Sequence, residues 1–338
     1  QVSISAYPQY SPSVAFDGAN YLIVWEDGRK WPDPFKIYGA RVDQSGVVLD
    51  PQGIEISVTA SWQRDPSVAF DGTNYLAVWE DSHNGTDLDI YGARVSQSGL
   101  VIDVAGIPIS AAEDSQEHAS IAFDGTNYFV VWRDRGPRPT WWSQIYGARI
   151  DRDGVLLDTS GIRILKWQGD QWDPSIAFNG VNHLVVWMGW HWPGERGIVG
   201  ARVDPSGVTL DSIVISTAAN LQMYPQVASD GRDYLVVWQD YRSGTDWDIY
   251  GARVSQQGIV LDPSGIPLSR APYDQEAPSV IFSGTDYVVL WQDRRSGDYD
   301  LYGVRVNPSG SVTDSFVVSR QAGNQRSPSL VKGAGSQH

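Results

Sequence analysis

Short apolar runs alternate with polar, glycine-containing turns along the whole chain, and no stretch repeats its apolar positions with a helical period of 3.6. Val14 to Phe16 is apolar and ends in Asp17-Gly18, a hairpin signal when a second apolar run follows. Tyr21 to Trp25 is that second run. It is β-branched, aromatic and almost unbroken, as expected of a strand buried on both faces. After a variable loop comes Ile37 to Val42, then the turn Asp43-Gln44-Ser45-Gly46. Val47 to Asp50 and Ile54 to Ser57 make a last strand, broken by a Pro/Gly kink. The pattern predicts four short antiparallel strands.

The same pattern returns along the chain. Pro12 to Gly18 recurs as Pro66 to Gly72, with looser copies from Ala119, Pro174, Pro225 and Pro278. The aromatic run ends at Trp25, Trp79, Trp132, Trp187, Trp238 and Trp291, with spacings of 54, 53, 55, 51 and 53. Gly39 of the third run recurs as Gly92, Gly147, Gly200, Gly251 and Gly303. Four strands per repeat of this length predict an all-β, six-bladed β-propeller of four-stranded antiparallel blades, with residues 1–338 as a single domain. A string of β-sandwich modules is the main competitor. It is disfavoured because the repeat is short for a sandwich and no linkers appear.

The repeat resembles those of bacterial exported β-propeller proteins, a resemblance that covers nearly the whole chain and implies architecture, not activity. Neither a sialidase-type Asp-box nor the WD40 Gly-His and Trp-Asp pattern is present. One inner-strand copy, Ser327 to Val331, and one outer-strand copy, Val2 to Ser5, are surplus to six blades. The expectation is a ring with one blade built from both ends. A seven-bladed ring and an open or longer array are the alternatives, and a loose strand invites self-association.

Residues shared by all repeats are expected to hold the fold. Arg41, Arg94, Arg149, Arg202, Arg253 and Arg305 recur, as do Asp50, Asp103, Asp158, Asp211, Asp262 and Asp314. A hairpin turning at residues 43–46 puts Arg41 opposite Val48 and within reach of Asp50. The simplest register of the preceding hairpin puts Gly39 opposite Trp25. Asp17, Asp71, Asp124 and Asp230 read as turn formers. Asp81, Asp240 and Asp293, with the Asp-x-Asp pairs 87/89, 246/248 and 298/300, form a weak calcium signal that lacks EF-hand spacing. No cofactor is expected on any stronger ground.

Composition narrows the classes further. The 338 residues carry a net charge of -15, which argues against nonspecific binding to a nucleic-acid backbone. No apolar run approaches the roughly 18 residues of a membrane span, so no membrane insertion is expected. Absence of Cys excludes disulfides and a cysteine nucleophile. The chain starts at Gln1 without a signal peptide, which reads as a processed form or a fragment. An extracellular or cell-surface location suits such an acidic repeat protein.

Function on a symmetric scaffold is sought where the symmetry fails. Nine of the 15 Trp lie outside the repeated position: Trp31, Trp62, Trp141, Trp142, Trp167, Trp172, Trp190, Trp192 and Trp247. Six of the nine fall between residues 141 and 192. The loop of Arg138, Trp141 and Trp142, which follows Arg133, stands at the same repeat position as the loop of Trp190, His191 and Trp192. These seven residues are the expected ligand-binding set, on one rim. Indoles suit sugar rings or a protein partner, so a binding module for carbohydrate or protein is the leading reading. A glycoside hydrolase or polysaccharide lyase is the alternative, and a structural surface-array protein the second. No nucleophile elbow, zinc motif or phosphate loop occurs, and no catalytic residue is assigned. Asp134, His191 and Glu195 are the nearest candidates.

Overall fold

Each Asp-Gly turn joins an inner strand to the tryptophan-bearing strand, and the Tyr-Gly-Ala-Arg run adds a third. The computed structural model describes residues 2–3, 7–83, 85, 87–136, 142–166, 169–191 and 195–333, with backbone alone at 191 and 195. The chain divides into two compact units. Gln1–Arg163 with Val331–His338 form the N-terminal unit, and Ile164–Leu330 the C-terminal unit.

The N-terminal unit holds three four-stranded antiparallel blades. Blade 1 is β1 (Gln9–Phe16), β2 (Asn20–Asp27), β3 (Lys36–Asp43) and β4 (Ile54–Glu55). Blade 2 is β5 (Gln63–Phe70), β6 (Asn74–Asp81), β7 (Asp89–Ser96) and β8 (Ile107–Ser110). Blade 3 is β9 (Gln116–Phe123), β10 (Tyr128–Asp134), β11 (Gln144–Ile150) and β12 (Ile162–Arg163). The C-terminal unit repeats the scheme. Blade 4 is β13 (Gln171–Phe178), β14 (His183–His191), β15 (Glu195–Val203) and β16 (Ile213–Ser216). Blade 5 is β17 (Gln222–Ser229), β18 (Tyr234–Asp240), β19 (Asp248–Val254) and β20 (Ile266–Ser269). Blade 6 is β21 (Gln275–Phe282), β22 (Tyr287–Asp293), β23 (Asp300–Val306) and β24 (Val312–Ser319). The fold is a six-bladed β-propeller, with no helix among the described residues.

The cores lie between blade faces. Leu22, Val24 and Ile37 of blade 1 pack on Tyr75 and Trp79 of blade 2. Leu76 and Val78 pack on Tyr128 and Trp132 of blade 3. Leu184 and Val186 meet Trp238, and Leu235 and Val237 meet Trp291. A blade buried on both faces has no polar face to alternate with, which is why the second strands read as unbroken apolar runs. All six repeated Trp are buried.

Two kinds of hydrogen bond stitch neighbouring blades. Tyr75 and Tyr128 donate through Oη to the carbonyls of Asn20 and Asn74, and Tyr234 and Tyr287 to those of Asn182 and Asp233. Arg41 Nε donates to Asp50 Oδ2 at 2.8 Å while its Nη1 reaches the Gln97 carbonyl of the next blade at 3.1 Å. Arg94, Arg202 and Arg253 repeat this with the carbonyls of Arg152, Gln256 and Pro308. Gly99, at φ 86°, leaves room for the guanidinium, since a Cβ there would come 2.9 Å from Arg41 Nε. Repeat 6 departs: Arg305 and Asp314 are direct cross-strand neighbours, and the guanidinium lies 5.9 Å from the Phe316 ring centroid.

Two expected registers are off by one residue. Val48 bridges Val42 instead of Arg41. Trp25 stands opposite Tyr38, and Gly39 opposite Val24. The glycine serves the fourth strand, because a Cβ at Gly39 would meet Ile56 Cδ1 at 2.9 Å and the Ile23 carbonyl at 3.1 Å.

The expectation of one blade built from both ends is overturned, because every sheet takes four consecutive strands. The surplus copy at Ser327 forms no strand. It docks on blade 6 instead, through Ser327 N–H to Gln292 Oε1 at 3.3 Å. At the other end Val2 packs on Trp25, Tyr38 and Ala40, while residues 4 and 5 lie outside the described residues.

The charged groups make stability depend on pH in two opposed ways. In Asp50, Asp103 and Asp262 burial is outweighed by the arginine's hydrogen bonds and charge, which hold the carboxyl low. In Asp158 the Arg149 hydrogen bond is itself the largest influence. Their stabilisation is present above the unfolded value of about 3.9 and is lost as pH falls through the folded values. Asp89 and Asp248 are pushed up to about 6, by burial first. They favour the folded state once protonated, so they stabilise as pH drops from 7 towards 5. Asp89→Asn should therefore raise unfolding stability at pH 7 by about 1–2 kcal/mol and change it little near pH 4. Urea unfolding at both pH values measures this, and an equal effect at both would contradict it.

Candidate functional site

The predicted rim residues have separate fates. Trp142 is 47% exposed in the N-terminal unit. Trp190 is 37% exposed in the C-terminal unit, with the Arg196 guanidinium 4.6 Å from its ring centroid. Arg138, Trp141 and Trp192 lie outside the described residues, as do the side chains of His191 and Glu195. Arg133 is buried, paired with Glu117 Oε2 at 3.1 Å and donating through Nε to Ser143 Oγ. It braces the wall instead of presenting a surface.

The repeated aspartates are occupied too. Asp17, Asp71, Asp124 and Asp230 each accept two backbone N–H groups of their own turn. Asp81, Asp240 and Asp293 accept the indole N–H of Trp79, Trp238 and Trp291 at 3.3, 2.7 and 2.9 Å. Among the described residues no group of three His, Asp or Glu is arranged to hold a metal.

The symmetry breaks elsewhere, on the inner strands. In every repeat the pairing of the first two strands shifts register near the start of the inner strand, a β-bulge. A non-glycine residue there adopts positive φ. These are Ser11, Asp65 and His118 in the N-terminal unit, at 49°, 48° and 55°, and Asp173, Tyr224 and Ala277 in the C-terminal unit. Such strain costs energy and recurs at functional sites.

The bulge N–H is taken by the residue that follows the core Trp of the preceding blade. Asp65 N–H donates to Glu26 Oε1 at 3.1 Å, His118 N–H to Glu80 Oε1 at 2.6 Å, and Ala277 N–H to Gln239 Oε1 at 3.2 Å. In the N-terminal unit both acceptors are carboxylates and two of the three bulge residues are ionisable. Burial pushes the Glu26 carboxyl up, and the Asp65 charge adds to the push. Glu80 is raised for the same reasons, with Arg64 Nε at 2.6 Å. Ser11 Oγ donates to Asp65 Oδ1 at 2.8 Å. Glu117 sits among Arg133, Arg135 and Arg64 at 3.1, 3.2 and 3.9 Å. Glu26, Asp65 and His118 are half-buried, whereas Glu80 and Glu117 are buried supports.

A row of aromatic rings runs up to this acidic group. Trp31 meets Trp62 edge-on at 6.4 Å, Trp62 stacks on Phe35 at 5.4 Å, and Phe35 stacks on Tyr10 at 6.0 Å. Trp31, Trp62 and Tyr10 are 56%, 46% and 54% exposed. Tyr10 is the cross-strand partner of Glu26. Gly28 admits the Phe35 ring, which a Cβ there would meet at 2.8 Å. Exposed aromatic surface of this extent marks a binding site more often than chance.

Sequence reasoning placed Trp31 and Trp62 outside the core but followed the denser tryptophans after residue 141. The missed signal is columnar. The position after the core Trp reads Glu26, Glu80, Arg133, Met188, Gln239 and Gln292, and the bulge position reads Ser11, Asp65, His118, Asp173, Tyr224 and Ala277. Acid is confined to the first two repeats of the first column.

No protein-family model and no curated protein matches the chain. Solved structures do. The chain is similar to a Mycobacterium tuberculosis puromycin-hydrolyzing peptidase, at 14% identity and TM-score 0.51, over 87% of this chain and 42% of that one. A thermostable family-43 glycoside hydrolase aligns at 15% identity and TM-score 0.48, over 78% and 94%. The α-L-arabinofuranosidase from Lactobacillus brevis aligns at 11% and 0.44, over 75% and 93%. Identities this low speak to fold alone.

Because Arg133 neutralises a buried carboxylate, Arg133→Ala should destabilise the chain by about 2–4 kcal/mol. Denaturant unfolding measures it. An unchanged midpoint would return Arg133 to the list of free surface groups.

Proposed function

We propose that the chain cleaves glycosidic bonds of an extracellular polysaccharide, with Glu26 and Asp65 as the reacting carboxyl pair. The observation that carries this reading is the end point of the aromatic row: Tyr10 is the cross-strand neighbour of Glu26. Flat aromatic faces in series suit a chain of sugar rings. Glycoside hydrolysis needs one carboxyl kept protonated to reach the leaving oxygen and a second kept ionised. Glu26 is the better suited to the first role, since burial raises its carboxyl above the usual carboxylate range. Asp65 is placed as the second carboxyl by the Ser11 hydroxyl, which donates to its Oδ1. The strained bulge fixes the Asp65 backbone where the Glu26 carboxylate receives its N–H.

A binding module without turnover is the second reading, favoured by the same aromatic row and by exposed Trp142 and Trp190. Reducing-end release from a panel of neutral and acidic polysaccharides separates the two. Glu26→Gln and Asp65→Asn should each lower kcat by about a hundredfold or more with binding retained, in line with loss of acid–base catalysis. Trp62→Ala should raise KM with kcat nearly unchanged. The rate should fall as pH rises through the elevated Glu26 value. Glycan binding without reducing ends, in wild type and variants alike, would replace hydrolysis by the binding reading.

A further inference from the structure

Three repeats carry the same internal arginine. In blade 1, Arg29 Nε and Nη2 bind Asp27 at 2.9 and 2.7 Å, the guanidinium lies 3.9 Å from the Tyr38 ring centroid, and Nη1 donates to the Gln52 carbonyl. In blade 5, Arg242 binds Asp240 at 2.9 and 2.6 Å, lies 3.7 Å from Tyr250 and donates to the Ser264 carbonyl at 2.9 Å. In blade 6, Arg295 binds Asp293 at 2.8 and 2.5 Å and lies 4.1 Å from Tyr302. A carboxylate fork, an aromatic face and a turn carbonyl together make a site matched to one planar cation.

Blade 3 keeps the site and lacks the arginine. Asp134, Tyr146 and Ser160 hold the positions of Asp27, Tyr38 and Gln52, but the arginine's position is Gly136. The backbone turns as it does in blade 1: Gly136 N–H donates to Asp134 Oδ1 at 2.7 Å, as Arg29 N–H does to Asp27 Oδ1 at 2.8 Å. Where the arginine would lie there is a cleft of about 620 Å³, lined by Trp132, Asp134, Gly136, Tyr146 and Ser160, with Ile109 of blade 2 among the facing residues. Asp134 is buried at 8% exposure. Burial pushes its carboxyl up, with the Asp114 charge adding to this, whereas Asp27, with Arg29 and Trp25 bonded to it, is held low despite burial. Among the described residues no cation is matched to the Asp134 carboxyl as Arg29 is to Asp27.

We propose that the blade 3 cleft binds a guanidinium group supplied by another molecule, either a free guanidino compound or an arginine side chain of a partner peptide. Its volume exceeds a bare guanidinium and has room for the stem that carries it. The reading is independent of the carboxyl pair at Glu26.

Calorimetric titration with agmatine, with a blocked Gly-Arg-Gly peptide and with cadaverine tests it. One equivalent of agmatine or arginine peptide should bind, and cadaverine, a cation without the planar fork, should bind at least about tenfold more weakly. Tighter binding of the peptide identifies a partner arginine, and tighter binding of agmatine a free compound. Asp134→Asn should weaken binding by about tenfold or more. Should that variant misfold, Arg242→Gly provides the converse, because opening the blade 5 site should add a second equivalent. Equal binding of cadaverine, or Arg242→Gly without a second equivalent, would overturn the proposal. So would binding seen only in Arg138→Ala, since the site would then be filled from within the chain.

Discussion

The indole N–H of the repeated tryptophan calls for an acceptor inside the protein, and meeting that call organises blades 1, 2, 5 and 6. A buried N–H left unpaired costs about 1–3 kcal/mol. In blades 1, 2, 5 and 6 the acceptor is the aspartate two residues on, which lies on the same strand face because side chains alternate. That carboxylate is then itself buried and needs a cation, which Arg29, Arg242 and Arg295 supply in three blades. The arginine in turn lies on the tyrosine opposite the tryptophan. Each group answers the unmet need of the one before it.

The residue between tryptophan and aspartate faces the other way, towards the bulge of the next inner strand. A single Trp-x-Asp segment thus controls two sites. Changing its middle residue from Gln to Glu alters the contact with the next inner strand, where Glu26 meets the Asp65 amide. Changing the arginine beyond it to Gly136 empties the outer cleft of blade 3.

Repetition made the architecture legible. Six copies of one spacing predicted six four-stranded blades, and the recurring Arg and Asp paired as their spacing suggested in the first five repeats. Registers were less legible. The expectation that Gly39 faces Trp25 followed the simplest hairpin register, whereas the glycine stands opposite Val24 and makes room for Ile56, a contact made by the segment of the fourth strand. The candidate site stayed hidden for a different reason. Glu26 looks like an ordinary polar residue after an apolar run, and only the bulge brings the Asp65 amide to it. The seventh copy of the inner strand was visible at Ser327, but its docking on Gln292 depends on a side-chain acceptor that apolar patterning does not register. The clustering of tryptophans after residue 141 drew attention by density, while Tyr10, Phe35, Trp31 and Trp62 come together only in three dimensions.

The stitches between blades have an evolutionary corollary. Arg41, Arg94, Arg202 and Arg253 address main-chain oxygens of Gln97, Arg152, Gln256 and Pro308, three residue types at one repeat position. The tyrosine stitches likewise end on carbonyls. These bonds therefore do not depend on the side chain of the residue that accepts them. The accepting turn can change its side chain from one repeat to another and keep the bond. Such indifference lets one inherited module diverge into an acidic inner face in one place and an emptied arginine berth in another.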